Sequence, residues 1–151
     1  MAEDDEDALY GLPLEEFVPA RDARAKELRR EKRRDEAATV AALVKPSRPA
    51  WMVNQLSRGE GSLMAKLLEC SEAVAEAQDA AVAGAGADDL RAASRAERQA
   101  VDKLMAAARD LRPEGHRASA AILERVRTTL QAAAGDEALR ERMRKGTLVA
   151  A

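Results

Sequence analysis

Residues 62–111 read SLMAKLLECSEAVAEAQDAAVAGAGADDLRAASRAERQAVDKLMAAARDL, and this stretch decides the fold class. Leu63, Met64, Leu67, Leu68, Val74 and Val82 fall at helical intervals, with Ser62 placed as an N-cap. Ala83-Gly84-Ala85-Gly86-Ala87 breaks the run, and Asp88 or Asp89 can cap the next helix. Leu90, Val101, Leu104, Ala108 and Leu111 then follow at spacings of three and four, interrupted by polar Ser94 and Glu97, until Pro113 stops them. Downstream, Ile122, Leu123, Val126, Leu130 and Ala133 carry the same period. Gly135-Asp136 ends that helix and caps a last short one through Leu139 and Met143. The spacing predicts an antiparallel three-helix unit over 62–83, 89–111 and 114–134, with a terminal helix to about 145 and a flexible tail over 146–151.

Composition agrees. Of 151 residues, 35 are alanine, and another 35 supply all the larger apolar side chains, so half of the 46% hydrophobic content is methyl groups. At roughly 25 cal/mol per Å² of buried apolar surface, alanine contributes little. Stability must come from close helix approach along alanine stripes, in coiled-coil-like hairpins. The aromatics are Tyr10, Phe17 and Trp51, and β-branched residues are few, which argues against a sheet. The expected fold is all-α, about six helices, an antiparallel helical bundle with a short N-terminal helical subcluster.

That subcluster spans 9–58. Residues 1–8 form an acidic tail expected to be disordered. Leu9, Tyr10, Leu12, Leu14 and Phe17 are the densest bulky stretch, with Pro13 and Pro19 suited to first helical turns. A helix is expected from about Pro19 to Arg33. Asp35 can cap a second one carrying Ala37, Val40, Ala41, Leu43 and Val44. Lys45-Pro46-Ser47-Arg48-Pro49 stops it, and Pro49 starts a short helix through Trp51, Met52, Val53 and Leu56 that Gly59 and Gly61 end. Trp51 is read as the anchor of this half, meeting Tyr10, Phe17 and Leu43.

Leu9-Tyr10-Gly11-Leu12-Pro13-Leu14-Glu15-Glu16-Phe17 and Lys45-Pro46-Ser47 followed by Ala50-Trp51-Met52-Val53-Asn54 together resemble a bacterial family of GC-rich genomes. Its members begin LY-x-LP-x-x-EF and carry KP-[ST]-x-x-AW-x-[VL]-N. Gly135-Asp136-Glu137 through Lys145-Gly146-Thr147-Leu148 resembles that family's closing segment. The resemblance implies no activity, cofactor or catalytic residue. Family members often continue into charged, alanine-rich extensions. Tyr10, Pro13, Phe17, Pro46, Pro49, Trp51 and Asn54 are the structural motif positions.

Charge narrows the function. Lys plus Arg is 25 against 27 for Asp plus Glu, a net of −2, so no global pull toward polyanions exists. Locally, Arg21 to Arg34 holds eight basic and three acidic residues, a net of +5. Arg29, Arg30, Lys32, Arg33 and Arg34 could meet phosphates, and the acidic tail could fold over them; the alternative is a solvated helix end favoured by the macrodipole. Residues 45–58 invite a helix-turn-helix reading, with Asn54 and Gln55 suited to adenine edges and Arg48 and Arg58 flanking them. Against it, Trp51, Met52, Val53 and Leu56 call for burial on more than one side, and Asn54 can satisfy backbone groups freed by Pro46 and Pro49.

Cys70 and His116 are the single cysteine and histidine. Disulfide frameworks, His/Cys zinc sites and Ser–His or Cys–His catalysis find no support. Cys70 reads as a small core residue, His116 as solvated or capping, and Met64, Met105 and Met143 as core. Neither cofactor nor metal is expected, and no apolar run approaches the ~20 residues of a membrane span. Glu3-Asp4-Asp5-Glu6-Asp7 is the reverse of a signal peptide's basic start, so the expected location is the cytoplasm. The leading expectation is a non-enzymatic helical interaction module, bound to a protein partner or to itself. The alternative is a nucleic-acid-binding regulator using 21–34 and 45–58.

Overall fold

The computed structural model describes residues 2–151 and is all-helical. Eight α-helices follow in order: α1 Ala2–Tyr10, α2 Phe17–Arg30, α3 Arg34–Ala41, α4 Arg48–Gly59, α5 Gly61–Val82, α6 Ala87–Ala108, α7 Ala120–Ala132 and α8 Glu137–Lys145. Single 3₁₀ turns at Leu14–Glu16, Pro113–Gly115 and Ala133–Gly135 supply tight corners. The acidic start, expected to be a disordered tail, supplies α1.

Local chemistry accounts for most boundaries. Ser47 caps α4, its side chain accepting from the Ala50 N–H, and Pro49 sits in the first turn where its missing donor costs nothing. Ser119 and Asp136 cap α7 and α8 in the same way. Other caps differ from expectation. Ser62 and Asp35 lie inside their helices, and α6 starts from left-handed Gly86 with Asp88 and Asp89 in its first turn, where carboxylates suit the helix dipole. The third helix ends at Ala41, not Val44, which is 57% exposed and lends its carbonyl to the Tyr10 hydroxyl at 2.7 Å.

Two apolar clusters form. The smaller joins Tyr10 and Phe17, ring centroids 5.0 Å apart, to Ala25, Leu28 and Val40 of α2 and α3. The larger is organised around α4, whose Ala50, Trp51, Met52, Val53 and Leu56 are all buried. It gathers Met64 and Leu67 of α5, Val101 and Leu104 of α6, Leu130 of α7 and Met143 of α8.

The boundary expected at 58 falls between α4 and α5, two helices that share the larger cluster. Trp51 belongs to the larger core, not to the Tyr10–Phe17 cluster, and its indole N–H donates to Leu12 O at 2.9 Å. The short helix read as the end of a first subdomain is the centre of the bundle. With apolar residues on nearly every side, it is buried wherever it packs.

Both expected tails are also structured. Residue 1 lies outside the described residues, but 2–10 are helical. Asp5 pairs with Arg24, Glu6 with Arg142 and Asp7 with Arg58, at 2.9, 3.4 and 3.1 Å. An acidic run that would repel itself as coil is thus spread over cations of α2, α8 and α4. At the other end α8 closes on Gly146, at φ 68°, with the Gly146 N–H on Met143 O and the Thr147 N–H on Arg142 O. Beyond it Thr147 and Leu148 are buried, Leu148 in the larger core, while Val149 packs on the smaller. Two adjacent residues thus contribute to two cores.

Candidate functional site

The proposed base-reading helix is not free to read anything. Asn54 is fully buried, its amide nitrogen donating to Leu148 O at 2.9 Å and its carbonyl accepting from Leu148 N–H at 2.7 Å. Its partner is a backbone 94 residues away, not the chain near Pro46 and Pro49. Gln55 is half-buried against Tyr10 O. Arg58 donates to Gly146 O at 3.0 Å and pairs with Asp7, filling the space where a Cβ on Gly146 would stand 3.1 Å from its Nε. Arg48, with Lys45, holds Glu114 at 2.9 and 3.1 Å, which draws that carboxyl below its usual range. Asn54 and Gln55, expected to face base edges, are thus turned to the backbone of Leu148 and Tyr10. The pattern that suggested base reading, polar residues on a short helix after a proline turn, also describes a keystone helix gripping a distant backbone.

The motif residues cohere as structure. Trp51 reaches Leu12, Gln55 reaches Tyr10, Tyr10 reaches Val44, and the Ser47 N–H donates to Val149 O at 2.9 Å. Pro46 is buried between these partners, whereas Pro13 is exposed at the entry to its 3₁₀ turn. The two motif segments and the closing segment thus meet at one place. From sequence, residues 146–151 are expected as a flexible tail, although Leu148 and Val149 are two adjacent bulky residues with apolar surface to bury.

The basic stretch is sorted by its neighbours. Asp22 pairs with Arg21, Glu27 with Arg24, and Glu31 and Glu36 both with Arg33. Lys26, Arg29, Arg30, Lys32 and Arg34 are exposed and have no ion pair among the described residues. The acidic start does not cover them, since its Asp5, Glu6 and Asp7 are engaged with Arg24, Arg142 and Arg58.

A second feature lies on the α5–α6 hairpin. Each helix has 22 residues, about 33 Å, whereas α7 has 13, about 20 Å. The hairpin helices are thus longer than α7, and Val82 near the hairpin tip is 90% exposed. Counting back from the 83–86 turn, Ser71 and Glu97 fall at about the same height. Ser71 Oγ and one Glu97 carboxylate oxygen are buried without a hydrogen-bond partner. Burial pushes the Glu97 carboxyl above its ordinary value. A carboxyl raised in the folded state penalises folding when ionised, and the penalty disappears as pH falls through its folded pKa. Glu97→Gln is accordingly expected to raise the urea midpoint at pH 7 and to leave it unchanged near pH 4. An equal gain at both pH values would assign the effect to packing instead.

Among the described residues no group of three or more His, Cys, Asp or Glu side chains is placed to hold a metal. No helix among the described residues is long and apolar enough to cross a membrane. Cys70 is buried, Met64, Met105 and Met143 are core, and His116 is exposed in the loop before Ser119. Comparisons with family models, curated proteins and solved structures return no match for the chain.

Proposed function

We propose that this protein is a non-enzymatic helical interaction module that acts in the cytoplasm and associates with a second copy of itself along the α5–α6 hairpin. The observation that carries the reading is that each helix of the hairpin is nine residues longer than α7. Ala73, Ala77, Ala80 and Ala93 line a groove there, flanked by Glu76 and Asp89. Small side chains let another helix approach closely, and a four-helix arrangement would cover the surface that α7 leaves bare. Ala73 and Ala80 are exposed, so they can be changed without disturbing the hairpin's own seam.

Light scattering coupled to gel filtration is expected to show a mass that rises with protein concentration toward a dimer. Ala73→Arg with Ala80→Arg should return it to a monomer with unchanged helical circular dichroism. A wild-type mass that stays monomeric over the full concentration range would remove self-association.

A further inference from the structure

We infer that the corner between α2 and α3 is a binding surface for the phosphate backbone of double-stranded nucleic acid, read without regard to sequence. Lys26, Arg29 and Arg30 share one face of α2 at i, i+3 and i+4, and Lys32 and Arg34 continue the charge around the corner. All five are exposed. The acids within reach turn toward three of the arginines, Asp22 to Arg21, Glu27 to Arg24 and Glu31 and Glu36 to Arg33, and with Asp35 counted residues 21–36 keep eight bases against five acids, a net of +3. In a chain whose net charge is −2, this is local separation of charge and not an overall excess.

The backbone carries a second, independent sign. The α2 helix ends with the Arg33 N–H on Leu28 O at 2.9 Å and the Lys32 N–H on Arg29 O at 3.0 Å, the closure in which a left-handed residue is required. Lys32 fills that position at φ 62°, where glycine is the residue of least strain. The chain thus holds a cation where glycine would fold better.

The nature of the occupant is set by the groups the corner lacks. Tyr10, Phe17 and Trp51 are 2, 1 and 8% exposed, so no aromatic platform is available for unstacked bases, the main source of affinity for single strands. Asn54 is buried and Gln55 half-buried against Tyr10, so α4 offers no base-edge reader. Rigidly spaced phosphates are the chemistry that remains.

The test is anisotropy of two labelled duplexes of unrelated sequence, each about 20 base pairs and long enough to offer several contacts, titrated with the full chain between about 20 and 200 mM salt. Both should bind alike, with a log–log salt slope of about −3, near −0.9 for each phosphate neutralised. Arg29→Ala with Arg30→Ala should make that slope shallower by about two contacts and weaken binding at least tenfold at about 50 mM salt, roughly the effect of losing two phosphate contacts. Lys32→Gly should separate the two roles of its site, raising the urea midpoint while weakening the duplex complex. Arg95→Ala with Arg98→Ala, on the exposed side of α6, should change neither. No binding at the lowest salt, equal weakening by the α6 pair, or tighter binding of a single strand would each overturn the assignment. Competition by poly-glutamate as effective as that by unlabelled duplex would do the same and point to an acidic protein surface.

Discussion

Asn54→Leu is expected to release the C-terminal segment and to cost about 3–5 kcal/mol, a large share of the stability of a domain this size. The substitution nearly preserves volume but strands both backbone groups of Leu148, which are buried and have no other partner among the described contacts. Each orphaned group costs about 1–3 kcal/mol, and the segment they anchor carries side chains into both cores. Urea denaturation measures the loss, and amide exchange at 147–149 should approach the rate of open chain. Asn54→Asp gives an internal check. Its carboxylate can still accept from the Leu148 N–H but meets the Leu148 carbonyl without a proton to offer. Protonation restores a donor, so that variant should recover relative stability as pH falls. Native midpoint and native protection in Asn54→Leu would show that the clamp is incidental.

Trp51→Ala should cost about 3–5 kcal/mol, the range for an emptied buried aromatic site. Trp51 is 8% exposed, packs in the larger core and holds Leu12 O, so its loss opens a cavity and unties the turn before α2 together. Trp51→Phe keeps most of the volume and loses the hydrogen bond, for about 1 kcal/mol from that bond. Because Trp51 is the sole tryptophan, the comparison is best followed by far-ultraviolet circular dichroism. A Trp51→Ala chain as stable as the parent, but unable to self-associate, would move Trp51 from the core to the interface.

Both large effects fall on α4, which shows how a 12-residue helix can organise a bundle whose longer helices are lined with alanine. The alanines of α5 and α6 bring backbones close but fill little space. The bulk comes from Trp51, Met52, Val53 and Leu56, inserted among α5, α6, α7 and α8. The pairing of Glu114 with Lys45 and Arg48 then holds the loop before α7 against the start of α4.

Periodicity, capping side chains and proline positions made the helices legible, because each depends on residues a few positions apart. The α5–α6 hairpin, the Ser47–Pro49 start of α4 and the Asp136 cap of α8 all rest on such local chemistry, whereas the helix expected over 114–134 begins only at Ala120. The basic stretch was visible as composition, but which of its cations are free was not, since that depends on where Glu31, Glu36 and Asp5 turn. The acidic start was legible only as a run that should repel itself; its helix forms because Arg24, Arg58 and Arg142 arrive from three other elements. Asn54 was ambiguous for the same reason. Its amide has equal use for a base edge or a peptide, and only the return of Leu148 across 94 residues selects the peptide. The sequence by itself thus determined that the chain is helical and where most of its helices begin and end. Tertiary structure alone decided that α4 is the centre, that both ends are folded, and which charges face solvent, because those outcomes depend on groups brought together from distant parts of the chain.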